Sequence, residues 1–135
     1  MIVIDASVAL AWCFADEESV AADRALDRVG TDGAVAPAIW PLEVANGVCS
    51  AERRGRITLA DASRLRELLA SLPVEVEPID VSTALGEVSE LARRFDLSAY
   101  DAAYLALAAR RGLPLATADQ RLARTARLAG VEVVS

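Results

Sequence analysis

The chain contains no histidine, and all 14 of its basic side chains are arginine, so it contains no lysine either. Without imidazole, nuclease mechanisms that use a histidine as acid or base are excluded. Without lysine, phosphoacceptor receiver domains and aspartyl-phosphate phosphatases are excluded, because both place a lysine beside their acidic pocket. Two residues after Asp5, where those phosphatases carry a second acid, stands Ser7. Cysteine is scarce: Cys13 and Cys49 lie in apolar helical surroundings, with no CxxC spacing and no histidine partner. That argues against structural zinc and for two reduced core thiols. No GxGxxG follows the first strand and no GxxxxGK[ST] occurs, which excludes dinucleotide and P-loop sites. No apolar run approaches the roughly 20 residues of a membrane span. The opening Met1-Ile2-Val3-Ile4-Asp5 has neither a basic region nor a cleavage site, so no signal peptide is expected and the cytoplasm is the expected location.

What is present describes a folded protein. The 135 residues are 54% hydrophobic and 25% charged, which fits a single domain over residues 1–135 with a sizeable core. A net charge of -6 argues against loose, non-specific binding to nucleic acid, which depends on neutralising phosphates. It leaves a metal-dependent nuclease open. The arginines cluster at Arg53, Arg54 and Arg56, at Arg93-Arg94 and at Arg110-Arg111, each near an expected helix C-terminus. There they either offset the helix dipole or contact phosphate.

Strand and helix patterns alternate along the chain. Ile2–Ile4 reads as a short buried strand, followed by helical character over Ser7–Phe14 and Glu18–Val29, with Gly30 and Gly33 ending it. Ala34–Ala36 is a weak second strand stopped by Pro37. Ile39–Arg54 is helical, with Trp40, Glu43, Val44, Gly47 and Val48 on one face. Thr58 and Asp61 make a capping-box pattern for a helix to Leu72. Val74–Glu77 alternates and reads as a half-exposed, edge-like strand. Helices over Val81–Phe95 and Ser98–Arg111, a strand at Leu115–Thr117, a helix over Gln120–Ala129 and a last strand at Val131–Val134 complete the pattern. Such a succession implies an α/β fold with a mostly parallel sheet and helices on both faces.

Four acids stand out: Asp5, Glu43, Asp101 and Asp119. Each has an ordinary explanation. Asp5 and Asp119 can N-cap the helices that follow them. Asp101 fits a capping box with Ser98, and Glu43 is a first-turn acid favoured by the helix dipole. In a parallel α/β sheet, however, strand C-termini and the next helix N-termini share one edge, where ligands bind. Asp5 and Asp119 follow different strands, Asp101 lies on an inward stripe with Leu97, Tyr104, Leu105 and Ala108, and Glu43 shares a face with Trp40. Two like charges about 4 Å apart repel by roughly 4 kcal/mol at an effective dielectric near 20. Either some of the acids stay protonated or a cation binds. An all-oxygen donor set selects Mg²⁺ or Mn²⁺, and the chemistry inferred is metal-dependent phosphodiester hydrolysis.

The segments around these acids closely resemble the PIN-domain ribonucleases, and within them the VapC-type toxins of toxin–antitoxin pairs. Ile2-Val3-Ile4-Asp5-Ala6-Ser7-Val8-Ala9-Leu10 looks like the first family motif, and Leu42-Glu43-Val44-Ala45-Asn46 like the second. Ser98-Ala99-Tyr100-Asp101-Ala102-Ala103-Tyr104 is the most specific match, and Leu115-Ala116-Thr117-Ala118-Asp119 with Leu122 resembles the fourth. The resemblance implies a three-layer α/β/α sandwich around a mostly parallel sheet of roughly five strands. It implies Mg²⁺ or Mn²⁺ held by Asp5 and Asp101, with Glu43 and Asp119 completing the quartet, Asp119 through water, and Ser7 and Thr117 as supporting polar groups. It also implies RNA cleavage, a homodimer and inhibition by a cognate VapB-type antitoxin. Many relatives carry a lysine near the position of Ala11, a departure that bears on an RNA contact there and not on the metal site.

A second reading is a PIN-like module that binds a partner protein with little or no catalysis. Two further features keep two readings each. Tyr100 and Tyr104 either stack on a base or pack in the core or a dimer contact. The helices Ile39–Arg54 and Thr58–Leu72 either form a groove for an antitoxin helix or pack in the ordinary way.

Overall fold

The structure, a computed structural model, describes residues 1–14 and 16–135. Its centre is β1 (Ile2–Ile4), three branched residues with no solvent exposure. Burial on both faces is what a strand without polar alternation demands. β2 (Ala34–Pro37) pairs with one side of β1, and β4 (Leu115–Ala116) with the other. β3 (Val74–Glu77) adds to β2, with Ala34 opposite Val74 and Pro37 opposite Glu77. All pairings are parallel, in the order β3-β2-β1-β4. β3 is the half-exposed edge strand that its alternation implies.

The connections explain where a site can form. α1 (Ala6–Cys13) and α2 (Val20–Asp32) join β1 to β2, and α3 (Trp40–Arg53) and α4 (Leu59–Ala70) join β2 to β3. From β3 the chain passes through α5 (Val81–Thr83), π-helical turns at Ala84–Val88, α6 (Ser89–Phe95) and α7 (Ala99–Arg111). It then crosses to β4 on the far side of β1 and ends in α8 (Gln120–Leu128). The winding direction thus reverses between β1 and β4. In open parallel sheets, the crevice at such a reversal, at the strand C-termini, is where ligands bind.

Sequence signals account for most boundaries. Thr58 and Asp61 close both halves of the capping box at α4. Pro41 occupies the first turn of α3, where a missing N–H costs no helical bond. Of the two glycines expected to end α2, only Gly33 does so. It sits at φ 76°, its N–H bonds the Val29 carbonyl, and Gly30 remains inside the helix.

Two expectations change. The sheet has four strands, and the expected strand Val131–Val134 contracts to a single parallel bridge between Val133 and Leu115. Leu115 uses its N–H on Glu132 and its carbonyl on Val134, while the Ala116 carbonyl serves Asp5. The two residues of β4 offer no longer ladder. The helix expected over Val81–Phe95 is interrupted by π-helical turns around Gly86, a poor helix former. The widened turns bury Val88 and leave Leu85 exposed.

α7 is the innermost helix. Ala102 through Ala108 are all buried, with small alanines around Tyr104, Leu105 and Leu107. One side of α7 meets β1, β2 and β4, and the other is covered by the π-helical turns and α6. Leu105 is fully buried in this layer. Leu105→Ala is therefore expected to lower unfolding free energy by about 2–5 kcal/mol in urea titrations, with the slope unchanged.

Candidate acidic active site

Asp5 leaves the C-terminus of β1 and is 5% exposed. Its Oδ1 accepts from the Val8 backbone N–H at 3.2 Å, which is the cap of α1, and from the Ser7 hydroxyl at 2.7 Å. Its Oδ2 accepts from the Thr117 hydroxyl, just beyond β4. Both hydroxyls also accept: Ser7 Oγ from the Ala118 N–H at 2.8 Å and Thr117 Oγ1 from the Asp119 N–H at 3.0 Å. Each hydroxyl has one proton, and both protons point at Asp5. A carboxylate has about four acceptor positions. Three are taken here, two on Oδ1 and one on Oδ2, which leaves one on Oδ2 without a protein donor among the described residues. Trp40 Nε1 donates to the Asp5 carbonyl at 3.2 Å and ties α3 to the same point.

Asp101 resolves differently from the cap its sequence suggests. The Ser98 hydroxyl accepts from the Asp101 N–H at 3.0 Å, so Ser98 caps α7. At α4 the matching acid, Asp61, returns a bond to the Thr58 N–H. At α7 no such return bond forms, and among the described residues no protein donor reaches the Asp101 carboxylate. Asp101 is half-buried and unpaired. Asp119 N-caps α8, its Oδ1 accepting from Arg121 at 2.9 Å and Leu122 at 3.3 Å. Glu43, in the first turn of α3, accepts the Tyr104 hydroxyl proton at 2.6 Å.

The four acids share one electrostatic field. Burial pushes the Asp5 carboxyl up from 3.8 to about 6, against the pull of its hydrogen bonds, with Asp101 adding repulsion. Burial also raises Asp101, and the charges of Asp119 and Glu43 raise it further; only Arg121 works against them. Burial and the Glu43 carboxylate hold Tyr104 far above the usual phenol range, so its hydroxyl stays a donor. Among the described residues, no three acids stand together at ligand spacing. The expected set of four carboxylate ligands is therefore not gathered around one point here; at most one or two of the acids could meet a single ion directly, with water on its other positions. The donor chemistry fits Mg²⁺ or Mn²⁺: oxygen only, with an open position on Asp5 and an unpaired Asp101.

Ser7 and Thr117, expected as supporting groups, are the two hydroxyl donors to Asp5. Arg110 pairs with Glu77 and Glu87, and Arg111 with Glu75 and Glu77, so this cluster fastens the end of α7 to the edge strand. Two contributors were not read from sequence: the Tyr104 hydroxyl and the Trp40 indole. The signal existed, since a buried tyrosine or tryptophan needs a partner for its polar atom. Tyr104 is 1% exposed and stands three residues after Asp101 on one helix face.

A PIN domain sequence profile matches residues 2–128, a span that includes all four acids. The chain belongs to the PIN domain family. It is 33% identical over 126 residues to VapC ribonuclease Mb0985 of Mycobacterium bovis, covering 93% of this chain and 91% of that one. It is 32% identical over 122 residues to ribonuclease VapC3 of Pyrobaculum aerophilum, covering 90% and 92%. The crystal structure of PAE2754 from Pyrobaculum aerophilum superposes with a TM-score of 0.69 at 26% identity, over 92% of this chain and 83% of that one. Mycobacterium tuberculosis VapC20, described as a Sarcin-Ricin loop cleaving toxin, superposes with a TM-score of 0.66 at 19% identity over the full length of both chains. These superpositions bear out the expected α/β architecture, a parallel sheet flanked by helices.

A pH dependence of stability follows for this PIN domain. The folded-state value of Asp5 lies above its ordinary value of 3.8, so folding favours the protonated form. That contribution is fully present below about pH 4 and is lost as pH rises through about 6, a loss of about 3 kcal/mol by neutrality. Between about pH 4.5 and about pH 7.5 the urea resistance of metal-free Asp5→Asn is expected to fall less, or rise more, than that of the wild type. An equal slope in both proteins would contradict the assignment.

Proposed function

We propose that the chain is a Mg²⁺- or Mn²⁺-dependent endoribonuclease, the toxin of a VapBC-type toxin–antitoxin pair. The observation that carries this reading is the half-buried Asp101 carboxylate, which has no protein donor among the described residues and is raised by burial and then by Asp119 and Glu43, beside the sheet's switch point. The VapC names of the curated relatives support the same reading. Asp5 and Asp101 would hold the ion, with Glu43 and Asp119 reaching it through water. When bound, such an ion supplies positive charge for phosphoryl oxygens and makes water easier to deprotonate. Asp5 contributes a carboxylate fixed by three donors, which leaves it little freedom to reorganise. Tyr104 is a positioning residue that fixes Glu43, and Glu43 orients the attacking water. Asp119 keeps its cap on Oδ1 and offers Oδ2. RNA as substrate, pairing with a VapB-type antitoxin, a homodimer and a cytoplasmic setting all belong to this reading. So does one nuclease domain over residues 1–135. No helix among the described residues is long and apolar enough to cross a membrane.

Asp101→Asn is expected to reduce Mg²⁺-dependent RNA cleavage by roughly a hundredfold or more, the scale for losing one preorganised electrostatic group. Its circular dichroism should match the wild type; undiminished cleavage would sink the site. Calorimetry with Mn²⁺ separates this enzyme from a binding module with the same fold. Saturable heat at near-neutral pH, lost in Asp101→Asn, is the enzyme's outcome. Tyr104→Phe is expected to lower kcat roughly tenfold with little change in KM, since it removes one hydrogen bond to a charged group. A change confined to thermal stability would reduce Tyr104 to a packing role. Co-expression of the neighbouring small reading frame should relieve growth arrest.

A further inference from the structure

A cleft of about 600 Å³ opens beside the acids, sharing Ser7 and Ala118 with the Asp5 network. Its floor is small: Gly47 and Ala51 of α3 face α1 there. A Cβ at Gly47 would lie 2.6 Å from Leu10 Cδ1, so the absent side chain is what lets Leu10 of α1 pack directly on α3 at the cleft floor. One wall comes from the segment after α1, with Asp16, Glu17 and Glu18. The facing wall comes from the segment after α3, with Arg54 and Arg56.

The two arginines differ in state. Arg56 lies over the Phe14 ring at 4.2 Å, and its two terminal nitrogens bond Asp16 at 2.6 Å and Glu17 at 3.2 Å. One face of its guanidinium is thus covered, its edges are fixed, and its plane is held as a platform. Guanidinium planes stack on unpaired bases. Arg54 is exposed and bonds only its own helix, at Ser50 Oγ. Among the described residues no carboxylate lies within ion-pair distance of it. Arg56, the other arginine lining the cleft, is neutralised by Asp16 and Glu17, which leaves Arg54 as the contact for a phosphate. The acidic wall repels phosphate and offers acceptors to ribose hydroxyls and base N–H groups.

We propose that this cleft is a nucleotide subsite, taking the RNA residue that flanks the scissile bond, with its base on Arg56 and its phosphate at Arg54. The proposal rests on the reading of the acidic centre as an RNA-cleaving site and adds how the strand is held beside it.

The test is fluorescence anisotropy of a fluorescein-labelled single-stranded RNA, in the Asp101→Asn background without divalent cation. Arg54→Ala is expected to weaken binding roughly tenfold, the scale of one charge-assisted contact, and to reduce the salt slope by about 0.7. Arg56→Lys keeps the charge and removes the plane, and is expected to weaken binding with the salt slope kept. Arg93→Ala, an exposed residue paired with Glu90 on α6, is the control for net charge. Equal effects of Arg54→Ala and Arg93→Ala, or no RNA binding by any variant, would overturn the subsite. Hydrolysis of bis(4-nitrophenyl) phosphate, which carries no flanking nucleotide, reports the acids separately. Hydrolysis lost in Asp101→Asn together with no Arg54 effect sinks the subsite and leaves the nuclease standing. An Arg54 effect without any hydrolysis leaves an RNA-binding cleft and overturns its assignment beside a scissile bond.

Discussion

Asp5 is held by donors from two chain segments that are more than a hundred residues apart: Ser7 and Val8 at the start of α1, and Thr117 after β4. The same two hydroxyls receive the backbone N–H groups of Ala118 and Asp119. The loop after β4 is therefore built around the carboxylate that ends β1, and the position of Asp119 follows from that of Asp5. Removing the carboxylate would orphan buried donors, at about 1–3 kcal/mol for each. Burial of the acid opposes folding at neutral pH, and its hydrogen bonds offset only part of that cost. The site is thus a place where local stability is lower than the sequence could provide.

Much of this was legible in the residues. The buried first strand, the shared edge of strand ends and helix starts, and the placement of Asp5 and Asp119 beyond strand ends follow from apolar runs and cap residues; the reversal of winding between β1 and β4 does not, because it depends on strand order. What the residues could not reveal is which cap-like acid is free. Thr58-Leu59-Ala60-Asp61 and Ser98-Ala99-Tyr100-Asp101 satisfy the same local pattern. One closes its box and the other does not, and the difference lies in neighbours from other elements: Glu43, Asp119 and Arg121 surround Asp101. The π-helical turns near Gly86 and the shortened last strand were equally illegible, because both depend on which partners the chain meets after it folds. Tyr104 shows the opposite case. Its burial was readable from the stripe, and the need for a partner at its hydroxyl would have pointed across the crevice to Glu43.

The negative net charge acquires a structural meaning once the arginines are placed. Arg110 and Arg111 fasten the edge strand, Arg56 is locked between Asp16 and Glu17, and Arg64, Arg66 and Arg93 pair on the surface. Surface pairs of this kind contribute little to stability. Their larger effect is to remove broad positive potential, so that attraction for polyanions is confined to a few places rather than spread over the molecule.

α7 gives the acids their positional accuracy. Seven consecutive residues, Ala102 through Ala108, are enclosed on all sides by sheet and helix. A helix so enclosed has no free direction in which to roll. Rotating it by one residue, about 100°, would drive leucine or tyrosine bulk into space shaped for an alanine. Asp101 and Tyr104 stand at the end of this confined rod, one facing the acids and the other bonded to Glu43. Close packing in the interior is therefore converted into tolerance at the crevice. The reach between Asp101 and Glu43 is fixed by the volumes of alanine methyl groups two turns away, and drift at the site would first have to appear as a void in the core.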